Sequence, residues 1–218
     1  MRLPRPPIAV VFDMDGLLFD TERLYEQATL AATVELGCEM DSAFFRSTIG
    51  SPWVVIHDLL LDRYGPTFAA EELKTRAGRI FNELVDRHAL LKPGVLELLD
   101  LLDELGLPRA IATTSSRPTV QRHLKAHDLV DRFHHIVAHG EYTRHKPAPD
   151  PFLKAAELLG VAPELCLALE DSYNGVRAAS AAGMMTVMVP DLLPPTEEIR
   201  GLCTHIVLDL HEVHRLIA

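Results

Sequence analysis

Nowhere in the 218 residues do ~18 apolar side chains run together, so no segment is expected to cross a membrane as a helix. The apolar run that follows Arg2 and Arg5 covers only residues 8–12 before it meets Asp13, too short for the core of a secretory leader. Cys38, Cys166 and Cys203 are the three cysteines, and no pair has CxxC spacing. That argues against a zinc knuckle or a dithiol redox pair. An odd cysteine count without a leader points to a reducing compartment, and the expected location is the cytoplasm. Positive charge is in short supply, with Lys+Arg 21 against Asp+Glu 31 and a net charge of −10. Such a surface repels phosphate backbones and anionic lipid, so neither nucleic acid nor a membrane is an expected partner. A locally positive pocket for one small anion remains compatible with it. There is also no internal repeat and no low-complexity stretch.

What is present is ordinary globular material: 48% hydrophobic and 24% charged residues. The length suits one large domain, or one domain with a smaller insert. A chain of this size can bury roughly 70% of its unfolded surface. A monomer or weak homo-oligomer is expected.

Short runs rich in Val, Ile, Ala and Leu recur at 8–12, 109–112, 135–138, 165–169, 185–189 and 204–208. Their unbroken apolar character suits strands buried on both faces, as in a parallel sheet. Between them lie helical patterns. Residues 94–105 place Val95, Leu98, Leu99, Leu102 and Leu105 on one helical face. Asp150-Pro151 reads as an N-cap and first-turn proline of a helix closed by Gly160, and 174–182 as a helix closed by Gly183. The alternation predicts an α/β fold, doubly wound around a mainly parallel sheet. Residues 21–88 interrupt it with three helical segments, at 21–37, 51–65 and 70–88. The expected organisation is a Rossmann-like core of 1–20 and 90–218, with a helical cap domain at 21–89.

Polar elements follow four of the candidate strands. Asp13-Met14-Asp15-Gly16 puts two carboxylates at i and i+2 beyond a buried strand, where open α/β sheets bind ligands. Buried like charges need a cation or a shared proton, so the pair implies a divalent metal, an acid–base couple or both. The plainer alternative is an exposed acidic turn. An EF-hand fragment fails on its glycine position, its closing Glu and the preceding strand. Thr113-Thr114-Ser115-Ser116 offers hydroxyls and a helix N-terminus, a seat for phosphate or an ordinary cap. Lys146, between His145 and Pro147, is either a point charge for phosphate oxygens or a solvated lysine. Glu170-Asp171 offers hard oxygen ligands for Mg²⁺, or an acidic cap. Taken together, metal carboxylates, phosphate donors and one cation at one sheet edge favour a shared site.

FDMDGLLFDTE at 12–22, KPAPDPF at 146–152 and LEDSYNGVRAASAAGM at 169–184 resemble the haloacid dehalogenase-like hydrolase superfamily, over essentially the whole chain. The likeness is greatest to its helical-cap branch of β-phosphoglucomutase-like and pseudouridine-5′-phosphatase-like enzymes. The resemblance implies a Mg²⁺-dependent phosphatase of a small phosphorylated metabolite, a sugar phosphate or nucleoside monophosphate. In it Asp13 is the nucleophile that forms an aspartyl-phosphate, and Asp15 is the acid and then the base. Mg²⁺ is held by Asp13, the backbone carbonyl of Asp15, Glu170 and Asp171. Thr113, the amide of Thr114 and Lys146 bind the phosphoryl oxygens. A phosphomutase is the alternative. Its relatives carry a His where Tyr25 stands and a cap Arg that Gly50-Ser51-Pro52-Trp53 lacks. A phospho-acceptor receiver domain is more distant, because its acceptor Asp would stand where this chain has Thr113. Arg23, Tyr25, Trp53, His57, Lys74, Arg76 and Arg79 are the candidate cap contacts.

Overall fold

The computed structural model describes residues 2–49, 51, 53–88 and 91–218. Gly50 and Pro52, which enter the comparison with the mutases, lie outside the described residues. The chain divides into two units, one of Met1–Phe19 with Leu91–Ala218 and one of Asp20–Leu90.

In the first unit six strands form one parallel sheet in the order β3-β2-β1-β4-β5-β6. They are β1 (Ala9–Phe12), β2 (Arg109–Ala112), β3 (His135–Val137), β4 (Cys166–Glu170), β5 (Met185–Met188) and β6 (His205–Ile206). This is the doubly wound, Rossmann-like fold, with helices in the strand-to-strand connections. Strand alternation sorts side chains to two cores of different texture. Val10, Phe12, Ile111, Leu167 and Leu169 pack with Leu98, Leu99 and Leu102 of α5 (Val95–Glu104). Ala9, Val11, Ala110, Ala112 and Ala168 pack instead with Phe152, Ala155 and Ala156 of α7 (Asp150–Leu159) and with Ala178 and Ala179 of α8 (Tyr173–Ala181). The small residues let α7 and α8 lie close to the strands. Truncating one of the large buried side chains to Ala would cost about 2–5 kcal/mol.

Register places the chemistry. Phe12 pairs with Ile111 on one side and Leu169 on the other. One step further along the chain therefore sets Asp13 beside Glu170, and the Asp13 N–H donates to the Leu169 carbonyl at 2.9 Å. Order reverses at β1, since β2 and β3 lie to one side and β4 to β6 on the other. Ligands of open α/β sheets sit at such switch points. Beyond Asp13, Gly16 takes φ +81°, a conformation that favours glycine, and Phe19 pairs antiparallel with the returning Leu91.

The second unit is helical, and among its described residues the three expected segments are four helices. These are α1 (Thr21–Glu35), α2 (Ser42–Thr48), α3 (Trp53–Tyr64) and α4 (Ala70–His88). Seven residues are too few for α2 to show a period. Its signal is the Asp41 cap, whose side chain accepts from the Phe44 N–H at 2.7 Å. Ala32, Leu60, Leu73 and Ala77 form the centre of this unit.

Other local expectations also change. Pro149, not Asp150, caps α7, because the Asp150 carboxylate is drawn to the Arg144 guanidinium and N–H. Ser172 caps α8, accepting from the Gly175 N–H. Two helices have no counterpart in the sequence reading, α9 (Glu197–Leu202) and α10 (Leu210–Ile217). The remaining helix, α6 (Arg117–Ala126), is capped by Ser116 and has Pro118 in its first turn. Among the described residues no helix is long and apolar enough to cross a membrane.

Candidate active site

Asp13, Glu170 and Asp171 are all buried, and each offers an oxygen within 4.8 Å of the others. β1 delivers the first and β4 the other two. Between two of them lies Lys146, carried on the loop after β3, whose Nζ donates to Asp13 Oδ1 and to Glu170 Oε1 at 2.5 Å each. The lysine side chain is 5% exposed, and its Nζ lies 4.9 Å from the centre of the Phe152 ring. Phe152 belongs to the first turn of α7, so that helix supplies a face for the cation.

Glu170 is held from both ends. Its Oε2 accepts from the N–H groups of Asp171 and Ser172 and from the Ser172 hydroxyl, at 3.0–3.2 Å. These amides lie at the positive end of α8. The carboxylate can come so close only because residue 175 is glycine. A Cβ there would fall 1.8 Å from the Glu170 carboxyl carbon.

Electrostatics follow from burial. Burial pushes the Asp13 carboxyl up to about 8 against the pull of Lys146, and the Glu170 charge adds to the rise. Burial alone would lower the Lys146 ammonium, but the Asp13 and Glu170 carboxylates outweigh it and raise its pKa. Three buried carboxylates facing one ammonium carry excess negative charge. A divalent cation with a preference for hard oxygen would neutralise it, and the donor set fits such an ion.

Asp15 stands outside this cluster, and its side chain turns to β2. Ser115 Oγ donates to Asp15 Oδ2 at 2.6 Å. Thr113 is buried at the carboxyl end of β2, where its Oγ1 accepts from the Ser115 N–H at 3.0 Å and its carbonyl from the Tyr142 hydroxyl at 3.1 Å. Thr114 is exposed. Direct contacts thus tie together Asp13, Lys146, Glu170 and Asp171. Asp15 joins Thr113 through Ser115, and no hydrogen bond of the Thr114 side chain draws it into either group. Sequence reasoning gave Ser115 and Ser116 no separate roles, and it passed over Ser172, Gly175 and Phe152. Of these, Ser115 was the most findable, as the third hydroxyl of its run.

In the helical unit Tyr25, Thr29, Phe45, Trp53, Ile56 and Lys74 line a pocket, with Lys74 Nζ 4.6 Å from the Trp53 ring. Three of the seven candidate cap contacts therefore share one cavity. Arg76 and Arg79 pair with Glu35 and with Glu72 and Glu83 respectively, Arg23 lies 3.5 Å from Asp20, and His57 lies beside Asp58 and Trp53.

Buried carboxylates and a lysine thus meet at the switch point of the sheet, where open α/β sheets bind ligands. A family model described as haloacid dehalogenase-like hydrolase matches residues 10–189. The chain is 39% identical over 187 residues to a probable pseudouridine-5′-phosphatase of Drosophila melanogaster, covering 83% of this chain and 80% of that one. It is 35% identical over 194 residues to hexitol phosphatase B of Escherichia coli K12, covering 87% and 86%. Among solved structures, CbbY from Rhodobacter sphaeroides in complex with phosphate superposes with a TM-score of 0.79 at 28% identity, over 95% and 96% of the two chains. A β-phosphoglucomutase-like protein of Thermotoga maritima gives 0.78 at 27%, over 95% and 99%. The chain belongs to the haloacid dehalogenase-like hydrolase family. It is an enzyme, and the class of its named relatives is that of phosphoric monoester hydrolases.

Proposed function

We propose that the protein hydrolyses the phosphomonoester of a small metabolite, a sugar phosphate or a nucleoside monophosphate, through a phosphorylated Asp13. The observation that carries this reading is Lys146 fixed between Asp13 and Glu170 inside a buried carboxylate cluster. Asp13 attacks phosphorus while its charge is balanced by the ammonium. Lys146, the Thr113 hydroxyl and the Thr114 amide hold the phosphoryl oxygens as charge spreads over them. Asp15 gives a proton to the departing alkoxide, then takes one from the water that cleaves the acyl phosphate. Asp13, the Asp15 carbonyl, Glu170 and Asp171 are the residues that would hold Mg²⁺, which when bound neutralises the charge of nucleophile and substrate. The helical unit is the proposed lid, and its aromatic pocket with Lys74 is the proposed source of leaving-group selectivity. Its free cysteine, like the two of the core, accords with work in the reducing cytoplasm.

The names of two relatives support this substrate class: one is a probable pseudouridine-5′-phosphatase, another a hexitol phosphatase. A mutase must also grip a second phosphate, and the arginines at 46, 63, 76 and 79 are already turned to carboxylates within the helical unit. The test is orthophosphate release from hexose and hexitol phosphates, nucleoside monophosphates including pseudouridine 5′-phosphate, and phosphoglycolate, with Mg²⁺ and with chelator. Metal-dependent release from one of the first two classes is expected. Release that survives chelation, or none from any substrate, would overturn the reading. Conversion of β-glucose 1-phosphate to glucose 6-phosphate with added glucose 1,6-bisphosphate, and without orthophosphate, would make the protein a mutase.

A further inference from the structure

Asp15 is reached by a side chain 100 residues away in sequence. The Ser115 hydroxyl donates to Asp15 Oδ2 at 2.6 Å, and Ser115 is itself anchored on both sides of its backbone. Its N–H donates to Thr113 Oγ1 at 3.0 Å, and its carbonyl accepts from the His139 N–H at 2.9 Å. Thr113 directly follows β2 and His139 follows β3, so the ends of two adjacent strands of the sheet fix the residue that grips Asp15. The Asp15 loop turns sharply at Gly16, and its backbone bridge to Phe19 leaves the direction of the carboxyl group to side-chain contacts such as this one.

We propose that Ser115 is a positioning residue for the acid–base step, setting the rotation of the Asp15 carboxyl group so that Oδ1 carries the transferred proton. This rests on the assignment of Asp15 as acid and base. In the first step the Asp13 oxygen–phosphorus bond forms and the phosphorus–leaving-group bond breaks. The proton on Asp15 Oδ1 passes to the leaving oxygen. In the second step water attacks phosphorus, its proton returns to Asp15 Oδ1, and the Asp13–phosphorus bond breaks. Through both steps Oδ2 remains an acceptor, charged or neutral, so the Ser115 hydrogen bond survives the cycle while the proton stays on the other oxygen. A hydroxyl meets this requirement because it can donate without being consumed.

The two kinds of leaving group separate positioning from phosphate binding. An alkoxide needs a proton as it departs, whereas p-nitrophenolate does not. Single-turnover phosphorylation of the enzyme is measured by rapid quench with the best alkyl phosphomonoester, and by the p-nitrophenolate burst with p-nitrophenyl phosphate. Ser115→Ala is expected to slow the alkyl reaction ~10–100-fold, with KM changed by less than ~3-fold. The aryl burst should slow by less than ~3-fold. Ser115→Thr, which restores a hydroxyl, should recover most of the alkyl rate. Asp15→Asn run on the same pair serves as the reference and should show a larger alkyl-specific loss. Equal losses on both substrates in Ser115→Ala would make Ser115 a phosphate ligand or a loop brace, and would overturn the inference while leaving Asp15 in its role. Equal losses in Asp15→Asn would overturn the acid–base assignment itself, and this inference with it.

Discussion

In the core unit Lys146 stands between Asp13 and Glu170; in the helical unit Arg79 stands between Glu35 and Glu83. The chemical groups are alike, but the lysine side chain is 5% exposed and the arginine 53%. Water screens the second arrangement, so its charges mean little for stability or pKa. In the first, burial removes most of that screening, and each charge acts more strongly on its neighbours. Beside its exposed ion pairs, the core holds one buried charge cluster where strands end and amides converge. The helical unit turns most of its charges to solvent and encloses aromatic and aliphatic side chains instead. One unit gathers buried charge at its strand ends, and the other encloses a mainly apolar pocket.

The largest expected effect tests the core side of this contrast. Asp13→Asn keeps the size and hydrogen-bonding reach of residue 13 but removes its charge and nucleophilicity. Turnover should fall by ~10⁴-fold or more, read as orthophosphate release. Burial and Glu170 hold the Asp13 carboxyl far above its ordinary range, so the neutral amide relieves a strain in the metal-free protein. Its Tm should stay level or rise. Retained turnover, or a Tm lowered by many degrees, would mean that residue 13 is a structural ion rather than the reacting group.

A smaller loss is expected from Gly175→Ala. The new methyl would meet the Glu170 carboxyl group, which has backbone amides on one side and Lys146 on the other. Glu170 must then move, and both Mg²⁺ affinity and turnover should fall by about 10–100-fold, as when other groups that orient metal ligands are disturbed. Isothermal titration with Mg²⁺ and steady-state kinetics check it. No glycine of the helical unit whose surroundings are described meets anything within 4 Å of an added Cβ. A Gly175→Ala variant that binds and turns over normally would erase that distinction between the units.

Much of this contrast is legible in the chain itself. Continuous apolar runs name the strands, because a strand covered on both faces needs apolar residues at both parities. Asp13, Lys146, Glu170 and Asp171 could be singled out because each directly follows such a run or lies on the loop after it. What escaped depends on partners distant in sequence. Nothing beside Ser115 announces Asp15, and nothing beside Gly175 announces the Glu170 carboxylate. The Asp150 carboxylate has the residue type and place of a cap, but Arg144, six residues earlier, claims it. Helix α2 is seven residues long and α9 six, both shorter than two turns, so neither shows a face in sequence. The pocket of the helical unit is assembled from all four of its helices, and side chains such as Tyr25 and Lys74 carry no local mark of sharing it.

The pH dependence of metal binding gives a more modest, graded effect. In the metal-free protein the Asp13 carboxyl is raised from 3.8 to about 8. Between those values the folded chain holds a proton that the unfolded chain has lost. This group's contribution to stability therefore declines as pH rises across the interval. A cation needs the ionised form, so the stabilisation it confers runs the other way and grows as pH climbs towards and past about 8. The Tm gain on adding Mg²⁺ to chelator-treated protein should be larger at about pH 8.5 than at about pH 6.5. In Asp13→Asn that dependence should flatten. A gain that does not change with pH in the unaltered protein would mean that Asp13 is ionised without the metal, and that burial does not govern its charge.

The smallest effect belongs to the solvated pair. Arg79 donates to both oxygens of Glu35 at 3.0 and 3.1 Å and to Glu83 at 3.1 Å, which looks at least as well made as the Lys146 contacts. Geometry alone would rank the two alike; exposure separates them. The attraction gained on folding is small where water already solvates both partners, and ordering a long side chain offsets part of it. Arg79→Ala should therefore shift Tm by no more than ~2 °C, with a still smaller shift at high salt. Differential scanning fluorimetry at two ionic strengths reads it. A much larger, salt-resistant loss would place Arg79 in a protected environment. A selective loss of turnover at unchanged Tm would instead recruit it to the substrate, and charge in the helical unit would then have a share in the chemistry.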